Sequence, residues 1–175
     1  MKFRPLKAEE VEARVSQVKE NGIVLLLYKD ARCDMRILDE TVGPENWQRE
    51  HYECKGNLFC RVGINTNFND ISDIEDRWIW KADCGTESNT EAQKGESSDS
   101  FKRACFNWGI GRELYTSPFI WVPEVDKAGE LNYKKDQKGK PKLMLEVIEL
   151  DTKDGRIVNL SICNGKKLVY HWEAK

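Results

Sequence analysis

"KGESSDSFKRACFNWGIGRELY", residues Lys94 to Tyr115, is the stretch on which the reading of this chain turns. Its first half balances acid against base. From Phe101 to Arg112 the acids disappear, while Lys102, Arg103 and Arg112 remain among aromatics and glycines. Phe101, Ala104, Cys105 and Trp108 recur at the spacing of one helical face, and Ala92, Gly95 and Ser98 extend that stripe with small residues. Ser88-x-x-Glu91 is a capping box that predicts where the helix opens, and Gly109 supplies its C-cap. A face that is small at one end and bulky at the other suits a helix lying close across a twisted sheet. Lys102 falls off the stripe, where it can face a groove. Arg103 stands four residues after Asp99, and the plainest reading pairs the two on the surface.

Outward from this helix the chain reads as α+β. "KAEEVEARVSQVKENG" (7–22) sets Ala8, Val11, Val15 and Val18 on one stripe and ends in Asn21-Gly22, which predicts an opening helix. "IVLLLY" (23–28) predicts a buried strand. Asp30 is placed to cap a second helix running to about Val42, stopped by Gly43-Pro44. Two extended runs flank Lys55-Gly56-Asn57 as a hairpin, and "RWIWKADCGTE" adds a third strand. Trp78 and Trp80 share one face of that strand and are assigned to the core. Acid-rich "NDISDIED" (69–76) lies between the hairpin and the third strand. Lys127 to Lys142, lysine-rich and without periodicity, reads as a mobile loop. Beyond it, three β-rich runs are punctuated by Asp154-Gly155 and Asn164-Gly165, strong hairpin signals. The expectation is an antiparallel β-meander packed by a long helix, a β-β-β-α core with additional C-terminal β-hairpins. It forms a single domain over 1–175, with its core at about 23–115, the lysine-rich loop at 127–142 and a C-terminal meander at 143–173.

Charged residues make up 33% of the chain and hydrophobic ones 39%, with a net charge of -2. No apolar run approaches ~20 residues, so no membrane span is expected. The N-terminal stretch lacks the apolar core of a secretory signal, so the expected location is cytoplasmic (the host cytoplasm for a phage-encoded chain). Cys33, Cys54, Cys60, Cys84, Cys105 and Cys163 form no CxxC pair and read as free thiols. His51-x-x-Cys54 on a strand would point to opposite faces, so no metal site is expected. There is no GxxxxGK[ST] loop and no HExxH, and Gly109-Ile110-Gly111 follows a helix where a dinucleotide fingerprint would open one. No catalytic residue and no cofactor are expected. Cations interleaved with aromatics leave nucleic-acid binding as the best-supported class, since Lys and Arg bind phosphates and flat rings accept unstacked bases.

The opening stretch closely resembles the signature helix of single-strand annealing proteins, the Rad fifty-two family, in the form of its Sak-type bacteriophage members. The resemblance extends upstream: "YKDARCDMRILDETVGPENWQREHY" is similar to the family's helix followed by G-x-x-x-W and a strand. "NLFCRVGI" and "WKADCGTES" resemble its next two strands. Coverage runs from about Tyr28 to Tyr115. The resemblance implies subunits side by side in a ring or filament, with single-stranded DNA in an outer cationic groove, phosphates inward and bases outward. It implies annealing in DNA recombination and repair without ATP and without broken covalent bonds, hence no enzyme. The family's adjacent Lys-Arg falls on Lys102 and Arg103, and an earlier lysine on Lys94. Its arginine on the preceding helix falls on Cys33, with Arg32 beside it. A further basic position is Phe106 here, so Arg112 or the loop lysines would compensate. The implied partners are single-stranded DNA, further copies of the chain, and a single-stranded DNA-binding protein or an exonuclease. The alternatives are a non-annealing single-strand-binding accessory protein of phage replication, and a structural oligomer whose Lys-Arg pair makes subunit contacts.

Overall fold

The computed structural model describes residues 1–67, 77–86 and 92–175, with the side chains of Ala92 and Gln93 left aside. In chain order the elements are β1 (Glu12–Lys19), β2 (Gly22–Tyr28), α1 (Ala31–Val42), β3 (Trp47–Cys54), β4 (Asn57–Asn65), β5 (Trp78–Cys84), α2 (Ala92–Trp108) and β6 (Ile120–Pro123). They continue with β7 (Lys134–Lys135), β8 (Pro141–Lys142), β9 (Leu145–Lys153), β10 (Arg156–Asn164) and β11 (Lys167–Glu173). The sheets run β1-β2-β6, β3-β4-β5, β11-β10-β9 and β7-β8, with antiparallel neighbours throughout. The α+β class, the meander packed by a long helix and the C-terminal hairpins are therefore present as expected. No described helix is long and apolar enough to cross a membrane. The chain forms two compact units, Met1–Arg4 with Asp30–Gly111, and Pro5–Lys29 with Arg112–Lys175.

The first unit is the β3-β4-β5 meander under α1 and α2. Asp30 caps α1 as expected, its carboxylate accepting from the Cys33 N–H at 2.7 Å. Cys33, Ile37, Leu38 and Val42 form the helix's buried stripe. The central strand β4 turns Cys60, Val62 and Ile64 toward α2, and all three are fully buried. From α2, Phe101, Ala104 and Cys105 meet them, also fully buried. Phe101 stacks on Trp47 with ring centroids 6.1 Å apart. Trp108 donates its indole N–H to the Val62 carbonyl at 2.9 Å, satisfying both groups within the packing. A Cβ on Gly85 would lie 2.2 Å from the Glu96 carbonyl oxygen, so only a glycine lets the end of β5 pass this close under α2. The expected capping box at Ser88 and Glu91, and the acid-rich stretch 69–76, lie outside the described residues.

Trp78 and Trp80 depart from expectation. Their register with Asn65 and Gly63 puts them on the sheet face opposite α2, where both are half-buried and outside the core. Period two assigns the two rings to a shared face but does not determine which face the helix covers. Trp80 lies flat on Gly63, where a Cβ would meet its ring atoms at 2.8 Å. The Arg61 guanidinium sits 4.6 Å from the Trp80 ring centroid on the same face.

The second unit corrects the N-terminal expectation. Residues 12–19 form a strand rather than a helix, paired residue by residue with β2 across a turn at Glu20-Asn21. Val11 and Ala13 are buried at alternate positions, the period of a strand. A bulge at Ser16 then breaks the alternation, and with Val15 and Val18 this produced a false helical stripe. The apolar run of β2 supplies the pairing that overrides local helix propensity. On its other side β2 pairs with β6, to which the sequence reading assigned no strand.

The lysine-rich segment, expected as a loop, contains the short β7-β8 hairpin. It contains two turns of one pattern, Asp126-x-x-Gly129-Glu130 and Asp136-x-x-Gly139-Lys140. In each, an aspartate Oδ1 accepts two backbone N–H groups at 2.8–2.9 Å, from Ala128 and Glu130 and from Lys138 and Lys140. Each glycine sits at positive φ (83° and 77°), where a side chain would be strained. The second turn joins β7 to β8. The C-terminal hairpins follow the sequence signals, with Asp154 and Gly155 at positive φ in one turn and Gly165 in the other.

Candidate nucleic-acid interface

One flank of α2 runs along β5, the outer strand of its sheet. Asp99, Arg103 and Asn107 recur at i, i+4 and i+8 and all reach β5 or the residues just after it. Asp99 Oδ2 accepts from the Thr86 N–H at 3.1 Å and from its hydroxyl at 3.0 Å. Arg103 Nε donates to Asp83 Oδ1 at 3.3 Å. Asn107 donates its amide to the Ala82 carbonyl at 2.9 Å and receives at its own carbonyl the Lys81 ammonium at 2.9 Å. Lys81 also lies 4.5 Å from the Trp108 ring centroid.

The surface pair anticipated between Asp99 and Arg103 is therefore replaced by two others. Arg103 pairs with Asp83, twenty positions away in sequence. Lys102 lies 4.0 Å from Asp99 Oδ1, one helical turn before it. The Lys102 side chain is 22% exposed and that of Arg103 42%, so both reach solvent while an acid orients each tip. Lys81 and Asp83, which complete this seam, were not singled out from sequence. The alternation along "WIWKADC" holds their signal, since Ile79, Lys81 and Asp83 share the α2-facing side of β5.

The other expected residues stand elsewhere. Lys94 is exposed two turns earlier on α2, and Arg32 is exposed in the first turn of α1. Cys33 is fully buried, so the position the resemblance gives to an arginine is a core position here. Arg112 is exposed but belongs to the second unit. The next residue, Glu113, is buried and accepts the Leu6 N–H at 2.7 Å. In the first unit, Arg49 packs its guanidinium 4.8 Å from the Phe101 centroid, and His51 Nε2 lies 3.1 Å from the Ser97 carbonyl. Those two groups tie the sheet to the underside of α2.

The titrating groups indicate structural roles. Burial pushes the Cys60 thiol up to about 11, which keeps it protonated and unreactive at neutral pH. In the second unit the Lys167 ammonium, donating to Asp126 at 2.8 Å, holds that carboxyl below the usual range and is itself raised by the same bond. Among the described residues, no group of three or more His, Cys, Asp or Glu is arranged to hold a metal ion.

No curated protein and no solved structure matches the chain. A family model does, described as "Rad52/22 family double-strand break repair protein", over residues 3–133. That span contains α1, the whole meander, α2 and the seam with β5. The chain belongs to this family, and its role is in DNA repair and recombination.

Proposed function

We propose that the chain binds single-stranded DNA along the seam between α2 and β5 and anneals complementary strands, acting as a homo-oligomer without nucleotide or metal. The observation that carries this reading is the adjacent, part-exposed Lys102 and Arg103, joined by Lys81, each held in place by a polar partner on the seam. Pairing of complementary strands is downhill by about 1.4 kcal/mol per base-pair step. Phosphate repulsion and the search for register slow it. Cations fixed in a row neutralise the backbone, and repetition in an oligomer extends that row along one strand. The sheet supports assembly, because β3 and β5 carry edges that no described strand pairs.

The test is annealing of complementary oligonucleotides in a chelator-containing, nucleotide-free buffer. The rate rises on adding protein and falls with salt. Lys102→Ala and Arg103→Ala each flatten the log–log salt dependence of binding by roughly 0.7. A requirement for ATP, or loss of acceleration in chelator, rules the mechanism out. Binding without acceleration identifies a non-annealing accessory protein. A second reading has its own support, because Asp83 and Asp99 already engage these cations within the chain. On that reading Lys102 and Arg103 fasten α2 to β5, and the alanine variants lower the melting temperature while leaving the salt slope unchanged.

A further inference from the structure

The second unit contains a pocket of about 450 Å³ between the β7-β8 hairpin and the turn from β10 to β11. Apart from Leu131, Asn132 and Tyr133, its lining residues lie beyond the segment that matches the family. Its walls are largely apolar, and two of them are open to solvent: Leu131 is 52% exposed and Met144 78%. Its rim is cationic in an unusual way. Lys134 and Lys142 stand directly opposite each other on β7 and β8. Residues so paired project to the same face with side chains in reach, and like charges there are destabilising.

The neighbouring cations are differently placed. Lys135 is paired with Glu124, and Lys167 with Asp126 and Glu130. Neither Lys134 nor Lys142 makes a salt bridge to any described residue. The segment Lys127 to Lys142 contains six lysines and two acids, Glu130 and Asp136, a surplus of four positive charges. A second feature points to a missing partner. Tyr133 lines the pocket and is only 3% exposed, yet its hydroxyl has no hydrogen-bond partner among the described residues. Buried polar groups are rarely left so.

We propose that this pocket docks an acidic peptide of a partner protein, with an aliphatic side chain in the cavity and carboxylates on Lys134 and Lys142. Charge complementarity requires an anion. The apolar walls require a ligand that brings hydrocarbon with its charge. A nucleotide fits less well, because bases are held on exposed ring faces and the one ring among the described lining residues, Tyr133, is buried. An exposed methionine beside the cavity suits a peptide, since its flexible thioether adapts to varied side chains. The site is separate from the α2 seam and does not depend on the annealing reading.

The methionines make the test direct, because Met144 lines the pocket while Met1 and Met35 do not. The full chain, labelled with carbon-13 at its methionine methyl groups, is titrated with a synthetic peptide, Asp-Asp-Leu-Asp-Asp-Leu. The Met144 signal shifts and saturates while Met35 stays fixed. In Lys134→Gln/Lys142→Gln the apparent affinity falls by roughly tenfold or more, and unchanged amide signals from β9, β10 and β11 report that the second unit keeps its fold. A peptide with serine in place of each aspartate leaves Met144 unmoved. Three results overturn the proposal. One is no Met144 shift up to millimolar peptide. Another is a shift with oligodeoxythymidylate that needs the same two lysines, which makes the pocket a DNA site. The third is a Met144 signal that changes with protein concentration alone, which makes a second copy of the chain the occupant.

Discussion

Two clusters of basic residues, one in each unit, are held in opposite ways. In the first, each cation along α2 and β5 has a neighbour of its own: Lys102 has Asp99, Arg103 has Asp83, and Lys81 has the Asn107 carbonyl and the Trp108 ring. In the second, two of the three lysines of the β7-β8 ladder, Lys134 and Lys142, face one another with no acid between them, while Lys135 pairs with Glu124. A cation with an internal partner has a fixed position and a reduced appetite for outside anions. A cation opposite another cation is less stable alone and gains more from an external one. The contrast separates charge that builds a surface from charge that waits for a ligand.

The sharpest way to break the comparison is to remove the packing that fixes the first unit. Phe101→Ala deletes the largest fully buried side chain among the described residues, together with its contacts to Trp47 and Arg49. A loss of about 3–5 kcal/mol is expected in urea unfolding, with single-strand binding lost in parallel. Intact stability would show that α2 is held by its polar seam alone. Cys60 supplies a pH test of the same packing. Its folded-state value of about 11 lies above the ordinary thiol value of 9.0, so the folded chain keeps a proton that the unfolded chain releases. Its contribution to stability is complete below about pH 9 and is lost as pH rises toward 11, by roughly tenfold in the unfolding constant per pH unit. Subtracting the pH profile of Cys60→Ala isolates that loss, and superimposable profiles would refute it.

A smaller effect tests order in the second unit. Asp136→Ala removes the acceptor of the Lys138 and Lys140 N–H groups. Hydrogen exchange at those two amides should quicken by roughly five- to tenfold, the equivalent of about 1 kcal/mol. No change would restore the picture of a mobile loop. The smallest stability effect sharpens the functional question. Asp83→Asn weakens a part-exposed ion pair and should cost less than about 1 kcal/mol. If Arg103 meets phosphate, removing its competing anion raises single-strand affinity at low salt. If affinity is unchanged, Arg103 serves only the fold.

Much of the first unit was legible in the sequence because its signals are local. Asp30 ahead of an amphipathic run, Lys55-Gly56 between extended runs, and Gly109 after Trp108 each act within a few residues. The strand β1 was not legible, because Ser16 bulges and shifts the alternation into apparent helical spacing. Its true period depends on β2 as a partner. The side of the sheet that Trp78 and Trp80 occupy was hidden for a similar reason, since only packing decides which face α2 covers. At the candidate site the Lys102-Arg103 pair was visible and its partners were not. Asp83 reaches Arg103 through tertiary structure alone. The paired turns at Asp126 and Asp136 were different: D-x-x-G recurs there at a ten-residue interval, a local signal that the charge of the segment obscured.

Trp78 and Trp80, with ring centroids 6.3 Å apart and planes inclined by 31°, also give the chain an optical property of its own. Two indoles this close and not coplanar couple their electronic transitions. Such a pair contributes a split circular-dichroism couplet whose sign follows the handedness of the two rings. Trp80 is held flat by Gly63 below it, so the couplet reports on that face of the β3-β4-β5 sheet. An event that tilts either ring, such as a neighbouring subunit settling on that face, registers in this band without any added label.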